Sequence, residues 1–296
     1  MSRITLSLTA AALVVCAVLP FAQDAAPTTV RIGVQHGSSY EPVNLPLETY
    51  VARVLAGEAL PDSPPAALEA LAITIRTYTL ANRGKHRAEG FDLCDQTHCQ
   101  VMRSATPATE AAALATRGRA LWYRGQLATV FYSASCGGRT EKPSNVWRDA
   151  DDPPYLPSRH DDGCGGMPEW TTELSRSDLE RALLADGFSG SLRNIRVAAR
   201  SESGRVVRLA LDGLTPPEIS GQDLRLAVGR SLGWRSIQST AFQLRETRGS
   251  FRFEGRGYGH GVGMCVIGSA HLARNGVKAS DILKRYFPGA KVESGR

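Results

Sequence analysis

Apolar and polar positions alternate over residues 30–34 (Val-Arg-Ile-Gly-Val), which predicts a strand with one face turned inward. After Leu45-Pro46 the period lengthens. Leu47, Val51, Val54 and Leu55 fall at i, i+4, i+7 and i+8, the stripe of a helix running to about Glu58. Pro61-Asp62-Ser63-Pro64-Pro65 breaks it, and Ser63 with Pro64 reads as a helix start, so a second helix is expected over about 65–81. A cysteine-bearing loop (85–100) follows, then an Ala-rich helix over 106–116. Strands are expected over 120–123 and 127–133, joined by Arg124-Gly125-Gln126. Residues 149–167 read as a long polar loop. Alternation over 197–211 around Ser201-Glu202-Ser203-Gly204-Arg205 predicts a hairpin. Short helices are expected over 179–184 and 222–229, a strand over 251–253, and two closing helices near 268–275 and 280–286. Strands and helices are mixed without regular βαβ order and without an internal repeat. This predicts an α+β fold, one mixed domain over 30–292 with antiparallel sheet elements.

Two places break the pattern. Glu58 is the next member of the first helical stripe, at i+11. A glutamate on a core-facing stripe is costly without a partner, and burial raises its pKa, which is what a general acid needs. The alternative is a helix that frays at Gly57 and releases Glu58 to solvent. On the second helix Arg76 flanks Leu68, Ala72 and Ile75; it either partners Glu58 or snorkels along the core. The second break is Gly255-Arg256-Gly257-Tyr258-Gly259-His260-Gly261-Val262-Gly263. As a strand, it would have one bare face open to close approach and one face carrying Arg256, Tyr258 and His260. The alternative is a tight Gly-rich hairpin packed under a helix. No Walker Lys-Ser/Thr follows, and no G-x-G-x-x-G opens a helix, so nucleotide loops are excluded.

Met1-Ser2-Arg3 followed by an apolar run over 4–22 reads as a secretory signal ending near residue 26. Cys16 falls inside that run and would leave with it, lipidation being the alternative. No later stretch is apolar enough to span a membrane. The mature chain, about 270 residues, is expected to be exported, in the periplasm, cell wall or medium, and is long enough to bury a core. A net charge of +6 suits an anionic wall. The basic residues are scattered and not interleaved with aromatics, which argues against nucleic acid.

Five cysteines remain after the leader. Cys94-Asp95-Gln96-Thr97-His98-Cys99 sets two sulfurs and an imidazole within six residues, suited to tetrahedral zinc, with His86 the nearest fourth ligand; a short Cys94–Cys99 disulfide is the alternative. Four protein ligands would leave the zinc structural. A Cys136–Cys164 disulfide would pin the long loop over the sheet. Cys265 is left as a buried small apolar residue.

The chain resembles the stage II sporulation protein D family (SpoIID/LytB domain). Five ordered blocks carry the resemblance: Leu47-Glu48-Thr49-Tyr50-Val51 with Gly57-Glu58-Ala59-Leu60-Pro61; Ala67-Leu68-Glu69-Ala70 with Arg76-Thr77-Tyr78; 132–141 (Tyr-Ser-Ala-Ser-Cys-Gly-Gly-Arg-Thr-Glu); Pro154-Tyr155-Leu156; and 255–264. The segment 220–225 is similar as well. The resemblance implies an exported lytic transglycosylase that cuts peptidoglycan between N-acetylmuramic acid and N-acetylglucosamine. Glu58 would be its acid and then base, and Arg76 its functional arginine. It further implies a glycan groove lined by Tyr132, Ser133, Ser135, Tyr258, Gly259, His260 and Gly261. Some members also hold a zinc with two Cys and two His near the same place. Peptidoglycan strands are the implied partner, with other cell-wall hydrolases alongside. Glu69, Leu71 and Val266 depart from the family's Lys, Gln and Gln. Those departures keep open a non-catalytic wall-binding protein or amidase enhancer of the same fold; a Cys- or zinc-dependent wall peptidase is a third reading. Nothing asks for a nucleotide or redox cofactor.

Overall fold

Arg31 is exposed between buried Val30 and Ile32, and that alternation carries the first strand over Thr29–His36 (β1). The computed structural model describes residues 28–294 except 165 and 167; the expected leader, with Cys16, lies outside them. β1 turns at Gly37, φ 62°, into Ser39–Pro46 (β2), antiparallel to it. β2 has two prolines and little alternation, so its pattern hides it. It is an edge strand, where a missing N–H is tolerated.

The helix Leu47–Glu58 (α1) buries Leu47, Val51, Val54 and Leu55, as the stripe predicts. The helix Pro65–Ala81 (α2) is buried from Ala67 to Thr79 apart from half-buried Glu69. Thr74, Thr77 and Thr79 return their hydroxyls to carbonyls four residues back, which lets them sit in the core. Leu93–Cys94 (β3) adds in parallel to β1. Thr106 caps Pro107–Ala115 (α3) through the Thr109 N–H. Arg119–Tyr123 (β4) and Gln126–Leu127 (β5) form the short hairpin. The strand expected over 127–133 is not continuous. The chain leaves β4 and reappears as Tyr132–Ser133 (β6), which pairs elsewhere.

A second core begins at Trp170–Ser175 (β7) and continues through Arg176–Ala185 (α4). The hairpin of Ser189–Arg200 (β8) and Val206–Thr215 (β9) takes Glu218–Ser220 (β10) on its edge. Gly221–Leu232 (α5) follows, then Phe242–Glu246 (β11) and Ser250–Gly255 (β12), with β12 between β11 and β7. Leu179, Leu209, Leu224, Phe251 and Phe253 are buried here. The chain then returns to the first core with Met264–Cys265 (β13), parallel to β6, and the helices Val266–Arg274 (α6) and Ala279–Tyr286 (α7). Lys291–Ser294 (β14) closes against β4. The fold is α+β with mostly antiparallel sheets, and residues 30–292 enclose two cores. Among the described residues no helix is long and apolar enough to cross a membrane.

Candidate active site around Glu58

Glu58 is the last residue of α1, and the helix is intact up to it; Ala59 still donates to the Leu55 carbonyl. Its Oε1 accepts the Val101 N–H at 3.1 Å. Gly57 makes this approach possible, because an added Cβ there would lie 2.4 Å from the Val101 carbonyl oxygen. Burial raises the Glu58 pKa above its ordinary value of 4.5, while the Val101 N–H and the Arg103 charge pull against that rise. Behind it stands a buried amide. Gln100 Oε1 accepts from Tyr50 Oη at 3.2 Å and lies 2.8 Å from Thr79 Oγ1, and its amide donates to Tyr132 Oη at 3.0 Å. Burial holds the Tyr50 and Tyr132 phenols protonated, and the Glu58 charge adds to the rise in both. Gln100 and Val101 escape a sequence reading. Their one signal is that they directly follow Cys99, so the cysteine loop delivers them to Glu58.

Arg76 is not the partner of Glu58. It is fully buried and pairs with Glu48 at the other end of α1 through Nε (3.1 Å) and Nη2. Its remaining donors reach the carbonyls of Ala113 (3.0 Å) and Arg119 (3.1 Å) and the Thr116 hydroxyl. Those carbonyls end α3 and begin β4, so Arg76 is a tie between elements. Periodicity places it beside the stripe but cannot tell which glutamate of α1 it meets.

The loop 85–99 brings His86, Cys94, His98 and Cys99 together, with one ligand atom from each lying within 4.8 Å of the others. His86 Nε2 and His98 Nδ1 are 3.1 Å apart, and Cys99 Sγ lies 3.4 and 3.6 Å from them; Cys94 Sγ is 3.8 Å from His98 Nδ1. A tetrahedron with zinc bond lengths has edges of about 3.3 Å between nitrogens and about 3.6 Å between sulfur and nitrogen. The set therefore fits zinc. Glu89 meets His86 Nδ1 at 3.0 Å, which leaves Nε2 as the ligand atom. Cys94 and Cys99 are both free thiols rather than a disulfide. The hydrogen bond from Cys99 brings the Cys94 thiol down to about 5, and raises that of Cys99.

The glycine stretch is not a strand with a bare face. Regular pairing ends at Gly255, and Gly257, Gly259, Gly261 and Gly263 all have φ between 73° and 97°. Each accommodates this chain's own atoms. A Cβ would lie 2.9 Å from the Ser135 carbonyl at Gly257, 3.1 Å from Ser133 Cβ at Gly259, 2.4 Å from the Arg205 guanidinium at Gly261, and 2.1 Å from the Phe131 carbonyl at Gly263. The glycines thus knit 131–137 to 256–264. Ser133 and Ser135 are buried there. Gly259 donates to the Gln238 carbonyl, and the Gly261 carbonyl accepts from the Glu141 N–H. Tyr258 is 38% exposed. His260 Nδ1 accepts the Val262 N–H at 3.0 Å, and its ring packs on Trp147, centroids 5.0 Å apart. Burial, with Arg225 and Arg205 nearby, lowers its pKa to about 3, so it stays neutral. Trp147 also lines a cleft of about 580 Å³ with Val207, Ser220, Gln222, Asp223 and Leu226. Leu71 and Val266, two departures from the family pattern, are core residues.

The expected Cys136–Cys164 disulfide is not formed. Both thiols are free and meet Cys265, so Cys265 is not alone either. Spacing along the chain cannot reveal that the end of β13 returns beside the end of β6.

A model of the stage II sporulation protein (SpoIID) family matches residues 36–123, and a model of a domain of unknown function matches 167–263, which takes in the second core. The chain is 30% identical over 254 residues to an uncharacterized protein of Brachyspira hyodysenteriae, covering 84% of this chain and 67% of that one. It is 25% identical over 283 residues to stage II sporulation protein D of Bacillus amyloliquefaciens, covering 89% and 78%. It is 26% identical over 292 residues to an amidase enhancer of Bacillus subtilis, covering 79% of this chain and 40% of that protein.

Proposed function

Since the chain belongs to the stage II sporulation protein D family, we propose that it is an exported peptidoglycan lytic transglycosylase with Glu58 as its single acid and base. One observation carries the reading: a carboxyl at the end of α1, desolvated enough to hold a proton above the ordinary range and oriented by one backbone N–H. Protonated Glu58 gives its proton to the oxygen between N-acetylmuramic acid and N-acetylglucosamine. The carboxylate left behind takes the proton of the muramic acid C6 hydroxyl, whose oxygen attacks C1. The bond from C1 to the leaving oxygen breaks, the C1–O6 bond forms, and a 1,6-anhydro ring closes. No second carboxylate is needed, because no water enters. In this reading Tyr132, held by Gln100, would hydrogen-bond the sugar, and Tyr258 and Trp147 would offer it aromatic faces.

His86, Cys94, His98 and Cys99 would hold a zinc that takes no part in the reaction, since four protein ligands leave no open position. Its work is to fix the turn that presents Val101 to Glu58.

A second reading is an amidase enhancer or other glycan-binding protein that makes no cut. The engagement of Arg76 with Glu48 favours it, because the arginine expected to serve catalysis is occupied. Mass spectrometry of purified glycan strands after incubation with wild type and Glu58→Gln decides between them. Anhydro-muramyl ends from wild type alone are the expected result. Intact strands from both, with binding retained, would establish the non-catalytic reading.

A further inference from the structure

Cys136, Cys164 and Cys265 come from three distant segments: the end of β6, the short turn Asp162–Cys164, and the start of α6. Each is at most 2% exposed, and their three sulfurs lie within 4.8 Å of one another without a disulfide. Polar hydrogens point at two of these sulfurs, while the Cys136 thiol donates to Asp161. Cys265 Sγ accepts the N–H groups of Cys136 and Gly268, both at 3.3 Å, and so caps α6. The Ser135 hydroxyl lies 3.1 Å from Cys164 Sγ, which also faces the Gly137 N–H.

A carboxylate borders the group at Cys136. Asp161 is 1% exposed; its Oδ2 lies 3.3 Å from Cys136 Sγ and accepts from Tyr286 Oη at 2.7 Å, while its Oδ1 has no partner. A buried carboxylate oxygen left unpaired is costly unless a cation meets it. The nearby Arg205 spends its Nη2 on the Cys136 carbonyl at 2.7 Å. Gly268 keeps the room, since a Cβ there would lie 2.3 Å from Asp161 Oδ2 and 2.2 Å from Tyr286 Oη.

We propose that Cys136, Cys164 and Cys265, with Asp161 at their edge, form a second thiolate site that takes a zinc-class divalent ion. Three soft sulfurs in one cluster suit zinc, and Asp161 lies beside them at Cys136. Binding releases the three thiol protons to solvent, and the ion bonds to the three sulfurs with no change of oxidation state. The ion would fasten the end of β6, the loop before β7 and the start of α6 behind Tyr132. This site is separate from the His86 cluster.

The test counts metal in the full chain, purified under reducing conditions with zinc present, by mass spectrometry, and maps native alkylation with and without chelator. About two zinc per chain are expected for wild type. About one should remain in Cys265→Ser, with Cys94 and Cys99 still protected. About one should remain in His98→Ala, with Cys136, Cys164 and Cys265 protected until chelator is added. A disulfide between any two of the three, in peptides mapped without reduction from wild type purified separately with zinc and no reductant, overturns the proposal. So does His98→Ala protein that binds no zinc while it keeps its fold by circular dichroism. The wild-type count and map stand even if the variants fail to fold.

Discussion

At Gly57 a single added methyl group would strike the Val101 carbonyl oxygen at 2.4 Å, and backbone cannot swing aside as a side chain can. Gly57→Ala should therefore move the 100–101 turn and cost about 1–3 kcal/mol, the usual range for overpacking. Urea unfolding measures the cost. Strand cleavage should fall by more than stability explains, because the displaced N–H is the one on Glu58. The pH behaviour of Glu58 follows from the direction of its shift. Its folded pKa lies above the ordinary 4.5, so its protonated form is favoured by folding. That contribution is fully present below the ordinary value and is lost as pH rises through the folded one. Glu58→Gln, which carries no charge, should thus show no gain over wild type below the ordinary value, gain stability as pH rises from there through the folded value, and hold that gain unchanged above it. Paired urea titrations across pH check this, and a gain that is constant with pH would show that Glu58 titrates as an exposed group. Cleavage by the wild type should fall over the same rise, since the acid must start protonated.

At the scale of elements, the stripe on α1 was readable because helix burial is periodic, and Glu58 stood out on it for that reason. The bonds around Glu58 were not readable. Val101 reaches it from the loop in which His86, Cys94, His98 and Cys99 meet in space, and no local period encodes that path. The glycine alternation was visible but misleading as a strand, because an alternating pattern of left-handed φ gives the same spacing as strand faces. β2 and β14 stayed hidden as edge strands with weak alternation. Two predictions belong at this scale. Removing metal with a strong chelator should lower the melting temperature and abolish cleavage together, with recovery on zinc, because the 85–99 loop sets the turn at Val101. If activity survives full depletion, the loop is positioned by its hydrogen bonds alone. Arg76→Met should cost about 3 kcal/mol, as expected when one partner of a buried pair is removed. Glu48 keeps a 19% exposed side chain, and its remaining access to water limits the loss. The pH at which Glu58 titrates should not change, since Arg76 does not touch it.

For the whole molecule, the two cores meet through a few buried polar groups. Arg205, on the β8–β9 hairpin, is 1% exposed and donates to the Cys136 carbonyl of the first unit. In return Glu141, also 1% exposed, accepts from the Ser203 hydroxyl at 2.6 Å and from that of Ser201. The second core begins at Trp170 and closes at Gly255, and these two residues are paired opposite one another, so the unit leaves and re-enters the first at one point. Such an insertion is held in register by its junction as much as by its own core. Arg205→Met keeps most of the side-chain volume and removes the charge and its donors. The wild type should melt in one transition. The variant should melt in two, the earlier one reported by hydrogen exchange in α4 and β8 while α2 remains protected. The junction matters to function in this view, because Arg205 also lies against Gly261 in the segment that carries Tyr258 and His260. A variant that melts in one shifted transition would mean that the cores are coupled through their apolar contacts instead, and that Arg205 serves mainly as a counter-charge to the three cysteines.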